Sequence, residues 1–173
     1  MNTLPAPFEA IFARSTTPDA KLKALMPAIV RTMATDRCFI YMRDPVKRRT
    51  AYTHGHTALQ GWRHFGGGSW GREPNPATLN EPMLKKAFTD PTALFISDIE
   101  TAPAHVLNKR LERAYFGHRA LVHAPLYHRG RFYGILETAV RRKPRVWSAQ
   151  DKQLIIALQP RVAALAARYL GHA

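Results

Sequence analysis

The sequence holds a single cysteine, Cys38, among 173 residues. That excludes an internal disulfide and a cysteine-rich zinc site, and it fits a reducing compartment. No apolar run approaches the roughly 20 residues that cross a bilayer. The best candidate, Leu154 to Leu170, is broken by Gln159, Pro160, Arg161 and Arg168. Met1 to Ala13 lacks an early positive charge followed by an apolar block, and Glu9 argues against a transit peptide, so a cytoplasmic protein is expected. Acidic residues are scarce: 12 Asp and Glu stand against 26 Lys and Arg, a net charge of +14. Such an excess favours an acidic protein partner or a polyanion, although a merely solubilising arginine-rich surface has the same composition. There is no internal repeat, P-loop, nucleophile elbow or paired-carboxylate motif, so nothing marks a hydrolase or a phosphotransferase. A protein that does not catalyse is the expectation.

What is present reads as one layered domain. Pro18 and Asp19 start an amphipathic helix carrying Leu22, Leu25, Met26, Ile29, Val30 and Met33, kinked at Pro27 and ending near Thr35. Cys38 to Met42 and Thr50 to Thr57 read as a hairpin around Arg43 to Arg49. Gly61 to Leu79 contains five glycines and two prolines with Trp62, Phe65 and Trp70, an irregular segment pinned by aromatics. A short helix over Asn80 to Phe88, a strand at Ala93 to Ser97 and a helix from Pro103 to Tyr115 follow. Ala120 to Tyr127 and Phe132 to Val140 are nearly continuously apolar, as expected of central strands covered on both faces. Ser148 then caps a last helix with Asp151 in its first turn.

The stretch from Arg119 to Leu126, then Gly130, Gly134 and Leu136, then Trp147-Ser148 with Asp151 and a closing apolar helix, resembles the GAF family. The resemblance runs from about Pro18 to Tyr169. It implies an α+β fold: a five-stranded antiparallel sheet in the order 2-1-5-4-3, with the first and last helices on one face and loops with short helices on the other. Residues 1–17 are then an N-terminal segment, 18–170 the single domain and 171–173 a tail. A helix-flanked sheet of the PAS type is the competing reading.

The resemblance further implies a pocket on the loop face that in relatives holds a cyclic nucleotide, a tetrapyrrole, haem or a metabolite. Trp62, Phe65, Trp70, Phe95, Asp98, His123 and Glu137 are its candidate residues here. Asp98 could equally serve a turn. Glu137, in an apolar central strand, needs a partner: an arginine or lysine, or else a histidine, a water or a ligand amine. No cofactor is expected, because the segment from Ile99 to His118 lacks the cysteine to which the bilin-binding branch attaches its chromophore. Reduction of free methionine sulfoxide, the chemistry of another branch, needs two exchanging thiols. His54 and His56 share a strand face and could join His123 or His64 at a metal, but eight histidines make such pairs common by chance. His118 reads as the opening of a strand.

Two basic rims follow from the implied topology. Lys47, Arg48, Arg49, Arg129 and Arg131 fall at one end of the sheet, and Arg141, Arg142, Lys143, Arg145 and Arg37 at the other. The apolar stripe of the last helix is widened by Ile155, Ile156, Ala163 and Ala166, either for a homodimer through the terminal helices or for packing against Leu4 to Phe12. The expected function is thus a non-catalytic contact module with an acidic or identical partner. Photosynthetic or light-signalling machinery is one place to look for it. A small-ligand sensor is the alternative, and unspecific nucleic-acid binding the third reading.

Overall fold

The computed structural model describes residues 4–172. Helices α1 (Ala6–Ala13), α2 (Pro18–Met33) and α5 (Ala149–Tyr169) form one layer. Strands β1 (Arg37–Asp44), β2 (Arg49–Thr57), β3 (Gly71–Arg72), β4 (Leu94–Ile96), β5 (Ala120–His128) and β6 (Arg131–Val140) form an antiparallel sheet in the order β3-β2-β1-β6-β5-β4. Without the two-residue β3 at the margin, this is the expected five-stranded order. The β5–β6 hairpin lies in the interior of the sheet. The other layer is built from loops, α3 (Pro82–Ala87), α4 (Lys109–Leu111) and a π turn over Glu112–Phe116.

The ends of α5 and α2 follow sequence rules. Ser148 accepts from the Asp151 amide at 3.0 Å while Asp151 accepts from the Ser148 amide at 2.9 Å, a capping box. The Thr17 hydroxyl accepts from Ala20 N, and Ala34 closes α2 in the left-handed conformation. The helix predicted from Pro103 is mostly absent. Asn108 caps the chain only at Lys109, and the helix then widens into the π turn that carries Glu112 inward.

Strand alternation is reset at two irregularities, and this decides what faces the loop layer. Ile40 pairs with His54 but Tyr41 with Tyr52, so the skipped Thr53 turns Tyr52 and His54 to opposite faces. Along β6, Tyr133 and Leu136 join the helix-side core while Phe132 and Ile135 pack on the other side, a spacing of three across Gly134. Cys38, Ile40 and Met42 face the helices, leaving Phe39 and Tyr41 toward the loops.

Gly55 lets the aromatic segment lie on the sheet. A Cβ there would sit 1.6 Å from the Phe65 carbonyl oxygen, which is backbone and cannot swing away. Gly55→Ala is expected to destabilise by about 1–3 kcal/mol and to shift Trp62 fluorescence as the segment lifts. Unchanged stability and emission would show that the segment is not held this way.

Candidate functional site

A cavity of about 410 Å³ opens between the sheet and the loop layer. The sheet supplies Phe39, Tyr41, Tyr52, His123, Ile135 and Glu137. The loop layer supplies Leu79, Asn80, Glu81, Met83, Leu84, Asn108, Leu111, Glu112, Tyr115 and Phe116. Its walls are aromatic and aliphatic, and its ionisable groups are the carboxyls of Glu81, Glu112 and Glu137 with His123 and the tyrosine hydroxyls.

Behind the cavity wall lies Arg37, with none of its surface exposed. Its guanidinium donates to Arg63 O at 2.7 Å and Phe116 O at 3.0 Å, and it sits 3.8 Å from the Trp62 ring centroid and 4.6 Å from that of Phe65. Burial pulls its pKa down from the ordinary arginine value to about 10, so it stays ionised at neutral pH. Arg37 lies 2.6 Å from His118 Nε2, and because arginine only donates, that nitrogen must be the acceptor. His118 is therefore neutral, with its proton on Nδ1, which donates to Glu112 Oε2 at 2.9 Å. The same Nδ1 is 3.6 Å from Glu137 Oε1.

Glu137 finds its partner in His123, whose Nδ1 lies 2.8 Å from Glu137 Oε2. Burial pushes the Glu137 carboxyl up, but the His123 hydrogen bond and the field of Arg37 act the other way, and the group is held below its ordinary value. Glu137 is thus an ionised acceptor, and His123 carries a proton on Nδ1. Glu137 Oε1 and His123 Nε2 are both buried with no hydrogen-bond partner.

At the cavity mouth Glu81 accepts from Met83 N at 3.2 Å and Asn108 N at 3.4 Å, and the Asn108 side chain donates to Asn80 O at 2.8 Å. The two loops are clasped by these bonds. Burial, reinforced by the charge of Glu112, raises the Glu81 carboxyl to about 7 from 4.5. Between those values the folded chain holds a proton that the unfolded chain has lost, so the contribution of Glu81 to stability falls as pH rises through this window. Glu81→Gln is expected to remove that slope and to be more stable than the parent at about pH 8 but not at about pH 4. Urea denaturation across the range checks this, and parallel curves would place the Glu81 titration elsewhere.

The structure brings together only part of the predicted pocket set. His123 and Glu137 line the cavity. Trp62 and Phe65 do not; they sandwich Arg37 one layer behind. Trp70 lies at the sheet margin, 4.5 Å from the Arg49 guanidinium, and Phe95 packs toward α5 with Lys152 over its ring. Asp98 pairs with Arg119 at 2.7 and 2.9 Å and accepts from the Glu100 amide, the turn role. Glu81, Glu112 and His118 were missed, and Arg37 was misplaced.

Of the residues expected at the basic rims, some are exposed and others are paired or buried. Lys47, Arg48, Arg129 and Arg131 are exposed beside the two hairpin turns, and Arg141, Arg142 and Lys143 at the opposite end. Arg48 pairs with Glu73, Arg49 with Asp44 and Arg145 with Asp151, while Arg37 belongs to the interior. Ile155, Ala163 and Ala166 have no exposed surface and share a core with Leu4, Phe8 and Ile11. They cannot meet a second chain unless α1 or α2 moves, and of the four interface candidates only Ile156 is exposed. His54 turns to Asp19 on α2, 3.1 Å away, on the face opposite the cavity. Among the described residues no group of three or more His, Cys, Asp or Glu side chains is placed to hold a metal ion, and no helix is long and apolar enough to cross a membrane.

The fold and this cavity can be set beside known proteins. No curated protein sequence matches the chain. Among solved structures it is similar to the GAF domain of an Acinetobacter phosphoenolpyruvate-protein phosphotransferase, at 14% identity and a TM-score of 0.65 over 96% of each chain. It is also similar to JSC1_58120g3 with bound biliverdin IXα, at 13% identity and a TM-score of 0.71, covering 93% of this chain and 96% of that one. A third likeness is to free methionine-R-sulfoxide reductase from Neisseria meningitidis in complex with its substrate, at 13% identity and a TM-score of 0.61, covering 95% of this chain and 84% of that one. These likenesses concern the fold. The GAF domain family model matches residues 17–165, and with the sheet order, the capped last helix and the cavity on the loop face, the chain belongs to the GAF domain family.

Proposed function

We propose that this chain, a GAF domain and hence a regulatory or sensory module, senses a small molecule held in the cavity between Phe39, Tyr52, Glu81, Tyr115, His123 and Glu137. The observation that carries the reading is an aromatic cavity lined by His123 and Glu137, each of which keeps one buried polar atom, Nε2 and Oε1, without a hydrogen-bond partner. An unsatisfied buried polar atom costs about 1–3 kcal/mol, which a ligand hydrogen bond offsets. The cavity's volume lies toward the small end of the roughly 300–1,000 Å³ typical of ligand clefts.

Two neighbours bound the chemistry. Biliverdin is bound in one of them; here a tetrapyrrole would be held noncovalently, since residues 99–118 contain no cysteine. Another is a reductase. In this chain the single thiol, Cys38, is buried, and burial raises its pKa, so it offers neither a ready thiolate nor a resolving partner. This favours binding over catalysis. A second reading rests on the exposed Lys47, Arg48, Arg129 and Arg131 at one sheet end, which suit an acidic protein partner reached by salt-sensitive steering.

Native mass spectrometry of the chain purified from its own cells tests the leading reading. A mass retained above 19.5 kDa in the folded state and lost on unfolding is expected. At about 100 times its Kd such a ligand stabilises by about 2.7 kcal/mol, or roughly 5–11 °C in Tm. A bare chain whose Tm no metabolite extract raises would overturn the reading and leave the acidic-partner alternative.

A further inference from the structure

The cavity inverts the charge of the molecule around it. Of 12 acidic residues in the chain, Glu81, Glu112 and Glu137 line it; of 26 lysines and arginines, none among the described residues does. Arg37 lies behind the wall, its terminal nitrogens committed to two carbonyls and to His118. Since His118 accepts from Arg37 it carries no charge, and a single fixed positive charge stands against Glu112 and Glu137, with Glu81 a third carboxyl at the mouth. Among the cavity-lining side chains the atoms left without a partner are Glu137 Oε1, an acceptor, and His123 Nε2, an acceptor in the neutral imidazole whose Nδ1 proton goes to Glu137; the one unpartnered donor of the cluster, Arg37 Nε, belongs to a residue behind the wall. The remaining walls are rings, including Phe39, Tyr52 and Tyr115, whose faces attract cations.

Resting on the small-molecule reading above, we propose that the ligand is a small organic cation, an amidinium or ammonium group on a flat apolar body, with its N–H donors directed to Glu137 and His123. A phosphate or carboxylate ligand would meet three carboxyl groups with no lysine or arginine free to receive it. The +14 of the whole chain does not decide the matter, because charges beyond about 8–10 Å are screened at physiological salt, whereas buried ones are not. The Glu81 carboxyl, raised to about 7, faces Glu112 from the π turn, His123 from β5 and the amides of Met83 and Asn108. A permanent cation should therefore bind less well as pH falls through that value.

Three size-matched probes test the proposal on the full chain by two-dimensional NMR titration: benzamidine, benzamide and benzoate. Benzamidine is expected to shift the amides of Glu81, Met83, Asn108 and His123 and to bind at least about tenfold more tightly than benzamide, with benzoate weakest. Glu137→Gln should erase the preference. If that variant does not fold, Glu81→Gln carries the test, because the hydrogen bonds to Glu81 come from backbone amides and the amide side chain keeps its shape. Benzamidine preference should then weaken and lose its pH dependence. Benzoate or benzamide binding as well as benzamidine, or a preference indifferent to Glu81→Gln, would overturn the cation class while leaving the cavity as a ligand site. No shift at the cavity with any probe would overturn both.

Discussion

Arg37→Ala is expected to cost about 3–5 kcal/mol of stability, the range for removing one partner of a buried charge cluster. At about 2–4 °C per kcal/mol for a domain of this size, Tm should fall by roughly 6–20 °C. The guanidinium satisfies two loop carbonyls, Arg63 O and Phe116 O, and orients His118 toward Glu112. It also fills the space between Trp62 and Phe65. Its loss strands each of these at once and leaves Glu112 and Glu137 without their fixed counter-charge. Arg37→Lys should recover little, because an ammonium cannot reach three acceptors in one plane. Differential scanning calorimetry of both variants checks this; a loss below about 1 kcal/mol would mean that the cluster reorganises and that Arg37 does not hold it.

Gly134→Ala is expected to cost at least about 3 kcal/mol. Gly134 has φ of +121°, a conformation side chains resist at about 1–3 kcal/mol, and a Cβ there would lie 2.0 Å from the Tyr41 carbonyl oxygen. Both terms act together, and the second would separate β6 from β1 where the sheet resets its alternation. The effect should reach the cavity, because Ile135 and Glu137 follow on the same strand. Gly71→Ala, where a Cβ would meet nothing within 4 Å, is the control and should be close to neutral. Urea unfolding of the pair settles the comparison; equal midpoints would contradict the close approach.

The strands at the centre were legible because their signals are local and strong. Ala120 to Tyr127 and Phe132 to Val140 coincide with β5 and β6 to within a residue, and Ser148 with Asp151 fixed the start of α5. The segment from Pro103 was not, since helical spacing of Val106, Leu107 and Leu111 says nothing of Glu112 being drawn inward to His118, a tertiary demand met by a π turn. The width of the α5 stripe was open between two readings; Ile155, Ala163 and Ala166 share a core with Leu4, Phe8 and Ile11, and the Glu9–Arg161 ion pair ties α1 to α5.

The site was half legible. Glu137 announced itself as a carboxylate in an apolar strand, and its partner proved to be a histidine. Glu81 and Glu112 sit in polar surroundings of the sequence where nothing distinguishes them from surface acids. Arg37 carried a usable signal that charge counting hid: two-residue alternation places it with Phe39 and Tyr41, on the same face as Glu137. The aromatics of the glycine-rich segment were correctly seen as pins, but Trp62 and Phe65 pin an arginine rather than cover a ligand.

A crystal structure of the chain taken directly from its own cells, without exchange of bound molecules, is the most direct measurement. The account predicts an organic molecule between Glu81 and Glu137 with a donor on His123 Nε2. Ordered water alone on that nitrogen, or a cavity closed by Tyr115 and Leu84, would contradict it.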